Sequence, residues 1–211
     1  MLMPELSQIV MFTVATLLLA LTPGPDIIYV IIRGATQGPK AGLTAAAGLA
    51  VGVLGHTAFC VIGLTAVLAA SDVAFTIIKL IGAAYLIYLG FRMWMAGNTL
   101  DLSADGENKP LASIFSQTII MNLVNPKVAL FFLAFLPQFV DPTVGPVQIQ
   151  FALFGGIFMI VSFVVMGGAG LAGGQVRRFL GSSEKANRLT HKIAGTLLIG
   201  LGMRLVFQGH N

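Results

Sequence analysis

The chain has 211 residues, of which 56% are hydrophobic and only 9% charged, and its formal net charge is +4. Soluble domains carry about 25% charged residues, so this composition is that of an integral membrane protein. Nucleic acid is excluded as a partner, because the lysines and arginines are spread between apolar runs and do not cluster on one polar face. The single cysteine, Cys60, excludes an intramolecular disulfide.

Six apolar runs of membrane-spanning length follow one another along the chain: 6–32, 42–70, 74–96, 112–136, 148–172 and 190–207. Each is predicted to be a helix, because lipid offers no partners for backbone N–H and C=O groups. Lysine and arginine concentrate in the segments after the first, third and fifth runs. The positive-inside rule therefore places these segments in the cytoplasm and both termini outside.

The first run is interrupted by Thr22-Pro23-Gly24-Pro25, and the carboxylate of Asp26 follows directly. Proline has no N–H and cannot continue a regular helix, so backbone carbonyls before the break lose their donors. Asp26 is the only acidic residue well inside a run. Freed backbone groups and a carboxylate at that depth need partners, which indicates a functional site.

The polar segment 97–111 divides the chain into two predicted three-helix repeats, 1–96 and 112–211. Similar sequences end the two halves, Leu86–Arg92 and Leu198–Arg204, and the first run of each half contains proline. Three spans are an odd number, so the second repeat would lie upside down relative to the first. The predicted fold is all-α, with six transmembrane helices in a 3+3 inverted repeat and a broken first helix in each half, as in secondary transporters whose site lies where the breaks meet.

The second break is Asn125-Pro126-Lys127, where Pro126 frees the backbone carbonyl of Asn122. A zwitterionic substrate fits the two breaks, with its ammonium at Asp26 and freed carbonyls and its carboxylate at a helix N-terminus or Lys127. Alternatively, Asp26 and Lys127 only pair with each other and brace the bundle. The neutral groups nearest the breaks either bind substrate or only satisfy the freed backbone: Thr22, Asn122 and Asn125.

His56 and Cys60 are four residues apart in the second run and share one helical face. Two ligands on one helix fall short of a tetrahedral metal site, so no resident metal is assigned and His56 is interpreted as a buried or proton-handling residue. The chain contains no Gly-x-x-x-x-Gly-Lys-Ser/Thr, no His-Glu-x-x-His and no paired carboxylates in a run. Neither an enzyme nor a cofactor is predicted.

Three motifs resemble those of the lysine exporter (LysE/RhtB) family of bacterial amino-acid exporters: Thr22–Asp26, Gly82–Arg92 and Asn125–Lys127. The resemblance covers essentially the whole chain. It implies efflux of an amino acid or related small molecule across the bacterial inner membrane, driven by proton exchange. It does not identify the substrate, since members are known for basic amino acids, homoserine and threonine, leucine-like amino acids and cadmium.

The sequence and the resemblance together predict a secondary exporter that engages protons and the substrate ammonium in turn at Asp26. A neutral substrate is favoured over a basic one, because Lys127 offsets the only intramembrane acid. Two alternatives stay open: a soft-metal exporter built on His56 and Cys60, and a passive pore or membrane scaffold without transport. The predicted partners are an amino acid, protons and membrane lipids, and the sequence also admits a homo-oligomer.

Overall fold

The computed structural model describes residues 4–66, 72–95, 108–176 and 184–207, and the regular elements in these ranges are helices. They are α1 Leu6–Leu21, α2 Pro25–Gln37, α3 Pro39–Phe59, α4 Asp72–Met95, α5 Leu111–Leu123, α6 Pro126–Leu130, α7 Val147–Leu171 and α8 Glu184–Phe207. Two of them continue in other helical forms. A π-helical turn, Cys60–Leu64, extends α3, and a π-helical turn followed by a 3₁₀ turn, Phe131–Phe135 and Leu136–Phe139, extends α6.

Both predicted helix breaks are present. The axes of α1 and α2 differ by 62°, and those of α5 and the segment Pro126–Phe139 by 45°. Pro25 and Pro126 each open the helix that follows the break. Proline is tolerated there because the first N–H groups of a helix have no intrahelical partner, whereas it would interrupt the interior. The first run therefore forms two helices, and α2 continues to Gln37.

The chain is a multi-pass membrane protein by the length and hydropathy of its helices. Pro39–Leu64, Thr76–Met95 and Val147–Leu171 each suffice to cross a membrane, and the count among the described residues rises to five if each bent pair forms one span. The sixth predicted run, 190–207, is helical as part of α8 but is not among these candidate spans. The predicted linker is outside the described residues as far as residue 107, and so are Arg177 and Arg178.

One face of α1 carries a row of exposed apolar side chains. These are spaced three or four residues apart and lie on the surface of the bundle: Leu6, Val10, Val14, Leu17 and Leu21. Residues at this spacing share one side of a helix. A contiguous apolar row on an otherwise folded surface is the signature of a lipid-facing side, in agreement with the membrane assignment.

Small residues allow three of the helices to approach closely. A Cβ atom at Gly52 would lie 2.7 Å from the Cβ of Asn122, and the Gly48-Gly52-Gly55 face of α3 packs against α5. A Cβ at Gly170 in α7 would lie 2.7 Å from the carbonyl carbon of Gly42 in α3. Such contacts let backbones touch in a bundle that has no hydrophobic driving force between its helices.

Gly170→Ala is expected to destabilise the bundle, whereas Gly168→Ala should not. The added methyl overlaps the backbone of Gly42 in the first variant and meets nothing within 4 Å in the second. Overpacking of this kind costs about 1–3 kcal/mol of unfolding free energy. The midpoint of thermal unfolding of the purified protein in detergent measures the difference. Equal midpoints for the two variants would contradict the close α3–α7 crossing.

Seven buried phenylalanines pack together, and we refer to them as the phenylalanine cluster: Phe12, Phe131, Phe132, Phe135, Phe139, Phe154 and Phe158. Their ring centroids are separated by 4.8–5.8 Å in tilted or edge-to-face pairs. These geometries suit the ring quadrupole. The cluster joins α1, the extension of α6 and α7 on one side of the two breaks.

Candidate functional site

The structure brings the two helix breaks together in the interior of the bundle. Asp26, Asn125 and Lys127 are all buried, with only 3%, 5% and 7% of their surfaces exposed. The Asn125 side-chain amide donates a hydrogen bond of 2.5 Å from Nδ2 to Asp26 Oδ2. Residues 99 positions apart in the chain are thus in direct contact, and neither charged side chain points toward lipid.

Asn125 holds its position because it also caps the helix that follows it. Its Oδ1 accepts a hydrogen bond of 2.9 Å from the backbone N–H of Lys127, one of the donors that has no partner inside α6. Asp26 lies in the first turn of α2, where the helix dipole favours a negative charge. One amide side chain therefore links the N-termini of the two half-helices.

Lys127 reaches across to the first break. Its ammonium donates to the carbonyl oxygens of Thr22 and Leu19, at 3.2 and 3.4 Å. These carbonyls belong to the C-terminal end of α1, where a cation is favoured by the helix dipole. Neither hydrogen bond of the ammonium goes to Asp26. Asp26 and Lys127 therefore do not form a directly hydrogen-bonded pair in this structure. Gly24 leaves room for the ammonium, because a Cβ there would lie 3.3 Å from Lys127 Nζ.

A cavity lies beside the two breaks and is lined by Asp26, Asn122 and Lys127 together with Leu19, Ala20, Leu49, Val128, Phe158, Ser162 and Met166. Asp26 Oδ1 and Asn122 Oδ1 are buried and have no hydrogen-bond partner. Buried acceptors are normally satisfied, so an unpaired pair beside a cavity indicates a place for donors from a ligand or water. The cavity volume of ≈ 20 Å³ is enough for water and too little for an amino acid.

His56 contacts the carbonyl freed at the second break. Its Nε2 lies 3.0 Å from the backbone oxygen of Asn122, which also accepts a hydrogen bond of 3.0 Å from the backbone N–H of Asn125. The ring faces a separate, largely apolar cavity of ≈ 330 Å³ between α3 and α6. Cys60 bonds elsewhere, from Sγ to the carbonyl of Phe132 at 3.6 Å. Among the residues that the structure describes, no three or more His, Cys, Asp or Glu side chains form a group that could hold a metal ion.

The other residues that the sequence singled out at the first break interact with or shape the backbone there. The Thr22 hydroxyl donates to the carbonyl of Leu18 at 2.7 Å, and its own carbonyl receives Lys127. Thr22 is buried but does not line the cavity. Pro23 and Pro25 contribute the break itself.

Sequence reasoning missed the wall of the cavity formed by α7. Phe158, Ser162 and Met166 come from a helix without proline or charge, so no break or ionisable group marked them. One signal was available. Ser162 is the only hydroxyl-bearing residue of the run 148–172, and a polar residue in an apolar span is a candidate for function.

A polar network closes the bundle on the side of the cavity opposite the phenylalanine cluster. Tyr29 and Lys109 both donate to Gln117 Oε1, at 3.0 and 3.3 Å. Gln37 donates to the carbonyl of Lys109 at 3.0 Å and accepts from Arg33 Nη1 at 2.6 Å. The guanidinium of Arg33 lies 5.0 Å from the centre of the Tyr29 ring. We call these five residues the polar network; they join α2 to the start of α5.

Two broken membrane helices whose polar groups meet beside one cavity are the arrangement found at the sites of secondary transporters. The family described as LysE type translocator matches residues 17–209, and the chain belongs to that family. The family resemblance and the assignment to transporters rather than enzymes are thereby confirmed.

The relatives of the chain cover nearly its whole length. An uncharacterized membrane protein of Vibrio cholerae is 32% identical over 92% of the chain and 94% of its own length. A leucine efflux protein of Salmonella typhimurium is 30% identical over 92% of each chain. A homoserine/homoserine lactone efflux protein of the same organism is 30% identical over 94% of this chain and 96% of its own. No solved structure matches the chain significantly.

Proposed function

We propose that this protein exports a neutral amino acid from the cytoplasm across the bacterial inner membrane in exchange for protons. Relatives named for leucine efflux and for homoserine efflux support an amino acid as the substrate. The observation that carries the proposal is the pairing, around one cavity, of two unpartnered buried oxygens with a buried ammonium.

The cavity has the polarity that a zwitterion requires. A substrate ammonium has three donors, and Asp26 Oδ1 and Asn122 Oδ1 are two acceptors without partners. A substrate carboxylate would draw Lys127 away from the carbonyls of α1, because a charge-assisted hydrogen bond is stronger than one to a neutral carbonyl. Binding would thus exchange the contacts that hold the two breaks closed for contacts to the substrate. The cavity would have to widen during this exchange, since its volume of ≈ 20 Å³ holds no more than water.

The charge of the site supports a neutral side chain. Among the residues that the structure describes, Asp26 is the only acid that lines the cavity, and Lys127 offsets it. The α-ammonium and α-carboxylate of an amino acid would engage both. A lysine or arginine side chain would then bring a second positive charge into an apolar enclosure without a counter-charge, which is costly.

We assign the binding of the transported protons to the carboxylate of Asp26. A carboxylate that engages the substrate ammonium from inside and accepts a proton from outside cannot do both at once. Efflux and proton entry are then coupled through one side chain, and each turnover moves them in opposite directions. His56 has a positioning role in this scheme, because its bond to the Asn122 carbonyl holds the end of α5 that presents the Asn122 acceptor.

The helix contacts support an inverted repeat. Gly42 packs against Gly170, and Gly155 packs against Thr57. Gly42 and Gly155 are 113 positions apart, as are Thr57 and Gly170, so a two-fold axis that pairs them would exchange the two contacts. In α4 and α8, the contact of Gly90 with Gly195 is matched in the same way by that of Gly202 with Ala83. Paired contacts of this kind are expected from inverted repeats.

Two different groups of side chains suit the two gates that alternating access requires. The polar network contains Arg33 and Lys109, which belong to the segments predicted to face the cytoplasm. The phenylalanine cluster lies on the other side, and Phe158 belongs both to it and to the cavity wall. We assign the polar network to the cytoplasmic gate and the phenylalanine cluster to the outer gate. The contacts of both gates are formed in this structure.

Export from proteoliposomes tests the function. Vesicles containing the purified protein are loaded with labelled leucine, homoserine or lysine, and the rate of release is measured with and without an acidic outside. We expect leucine or homoserine to leave faster than lysine, and faster when protons can enter. Release of all three at the rate of protein-free vesicles would overturn the proposal, and release that ignores the pH gradient would overturn its proton coupling.

A further inference from the structure

We propose that the face of α7 across the cavity from Asp26 and Lys127 receives the side chain of the exported amino acid, and that the hydroxyl of Ser162 favours a hydroxylated side chain over an aliphatic one. This inference rests on the proposed function. It adds a specificity-determining residue that the family assignment does not identify.

The two walls of the cavity differ in chemistry. The wall formed by the helix breaks carries the ionisable and amide groups, Asp26, Asn122 and Lys127. The other wall is formed by Phe158, Ser162 and Met166 of α7, together with Leu49 of α3. The three α7 residues are four positions apart, so they follow one another along one face of the helix. An amino acid held by its charged groups at the breaks would place its side chain against this second wall.

Ser162 is the polar exception in that wall. Only 8% of the residue's surface is exposed, and its hydroxyl makes no hydrogen bond within the part of the chain that the structure describes. Several hydroxyls elsewhere in these helices bond to the carbonyl four residues earlier, among them those of Thr13, Thr57 and Thr118. This back-bonding is the usual solution for a hydroxyl in an apolar helix, and Thr16 in α1, which does not line the cavity, is another residue that does not adopt it. The hydroxyl of Ser162 does not adopt it and lies on a cavity wall, so it is free to bond to a ligand.

The size of the expected preference follows from hydrogen-bond energetics. An apolar pocket by itself rejects a hydroxylated isostere only weakly, whereas a polar group in the pocket penalises a substrate that leaves it unpaired. One hydrogen bond between neutral groups contributes about 1 kcal/mol net, which corresponds to about a five- to tenfold change in an equilibrium constant. Ser162 should therefore shift the ratio of homoserine to leucine export by about that factor.

The test compares Ser162→Ala with the unmodified protein in proteoliposomes loaded with equal concentrations of homoserine and leucine. We expect the homoserine-to-leucine export ratio to fall about five- to tenfold in the variant, mainly through weaker binding of homoserine. Ser116→Ala is the matched control, because Ser116 is exposed, does not line the cavity, and its hydroxyl bonds to the carbonyl of Ser113. That control should leave the ratio unchanged. Removal of an unpartnered hydroxyl should also leave the fold intact.

A second variant covers the case in which alanine perturbs packing. Ser162→Cys keeps nearly the same shape but replaces the hydroxyl by a weak hydrogen-bonding thiol, and it should lower the ratio in the same direction. An unchanged ratio in either folded variant would overturn the inference, and so would an unmodified protein that exports leucine but not homoserine. Absence of export of both amino acids by the unmodified protein would instead overturn the proposed function.

Discussion

Asp26→Asn is expected to abolish the response of export to a pH gradient and to slow export at least about tenfold. The amide can still accept a hydrogen bond, but it neither binds a proton for transport nor attracts the substrate ammonium as an anion does. Loss of a hydrogen bond to a charged group costs about 1.5–3 kcal/mol, which corresponds to about a ten- to hundredfold loss of affinity. Release from proteoliposomes at equal pH and with an acidic outside measures both effects.

Asp141→Asn is the matched control for that experiment. Asp141 lies in the segment between the α6 extension and α7, outside the candidate spans. Hydrogen bonds from the Thr143 hydroxyl and then from its backbone N–H lower the pKa of Asp141, so this carboxylate stays ionised near neutral pH. Its replacement should leave the pH response intact. An Asp26→Asn protein that still exports at the original rate and still responds to the gradient would refute the coupling role.

Lys127→Met is expected to raise the substrate concentration needed for half-maximal export by about ten- to hundredfold. Methionine has nearly the length of lysine without its charge, so the carboxylate of the substrate loses its counter-charge. The carbonyl of Thr22 loses the ammonium donor at the same time, the carbonyl of Leu19 keeps only the backbone N–H of Thr22, and we expect the thermal midpoint to fall as well. Concentration-dependent export and thermal unfolding in detergent separate the two consequences.

Lys40→Met provides the comparison for the loss of a lysine. Lys40 is exposed in the first turn of α3 and does not line the cavity, so its replacement should alter neither the half-saturating concentration nor the thermal midpoint appreciably. If Lys127→Met lowers stability but exports with unchanged affinity, Lys127 only braces the two breaks. That is the structural alternative that the sequence left open.

Local sequence determined where the helices break and which residues follow the breaks. Pro25 and Pro126 cannot occupy a helix interior because they lack an N–H, so each begins a new half-helix whatever surrounds it. The apolar runs predicted six spans, yet α8 is not among the helices that qualify as spans, because charged residues such as Lys192 and Arg204 lower its hydropathy.

Tertiary structure alone decided the partners of these residues. The sequence suggested that Asp26 and Lys127 would face each other, but which oxygen accepts from which donor depends on distances between segments some 100 residues apart. In the folded chain Asn125 bonds to Asp26, Lys127 bonds to the carbonyls of α1, and His56 lies against Asn122.

The sequence alone did not predict the opposite wall of the site either. Ser162 lies in a regular helix, and its hydroxyl becomes meaningful only because the crossing of α7 with its neighbours turns that face toward the two breaks. Proline chemistry is local and can be read from a few residues. The pairing of polar groups and the walls of a cavity depend on long-range packing, so only the assembled bundle reveals them.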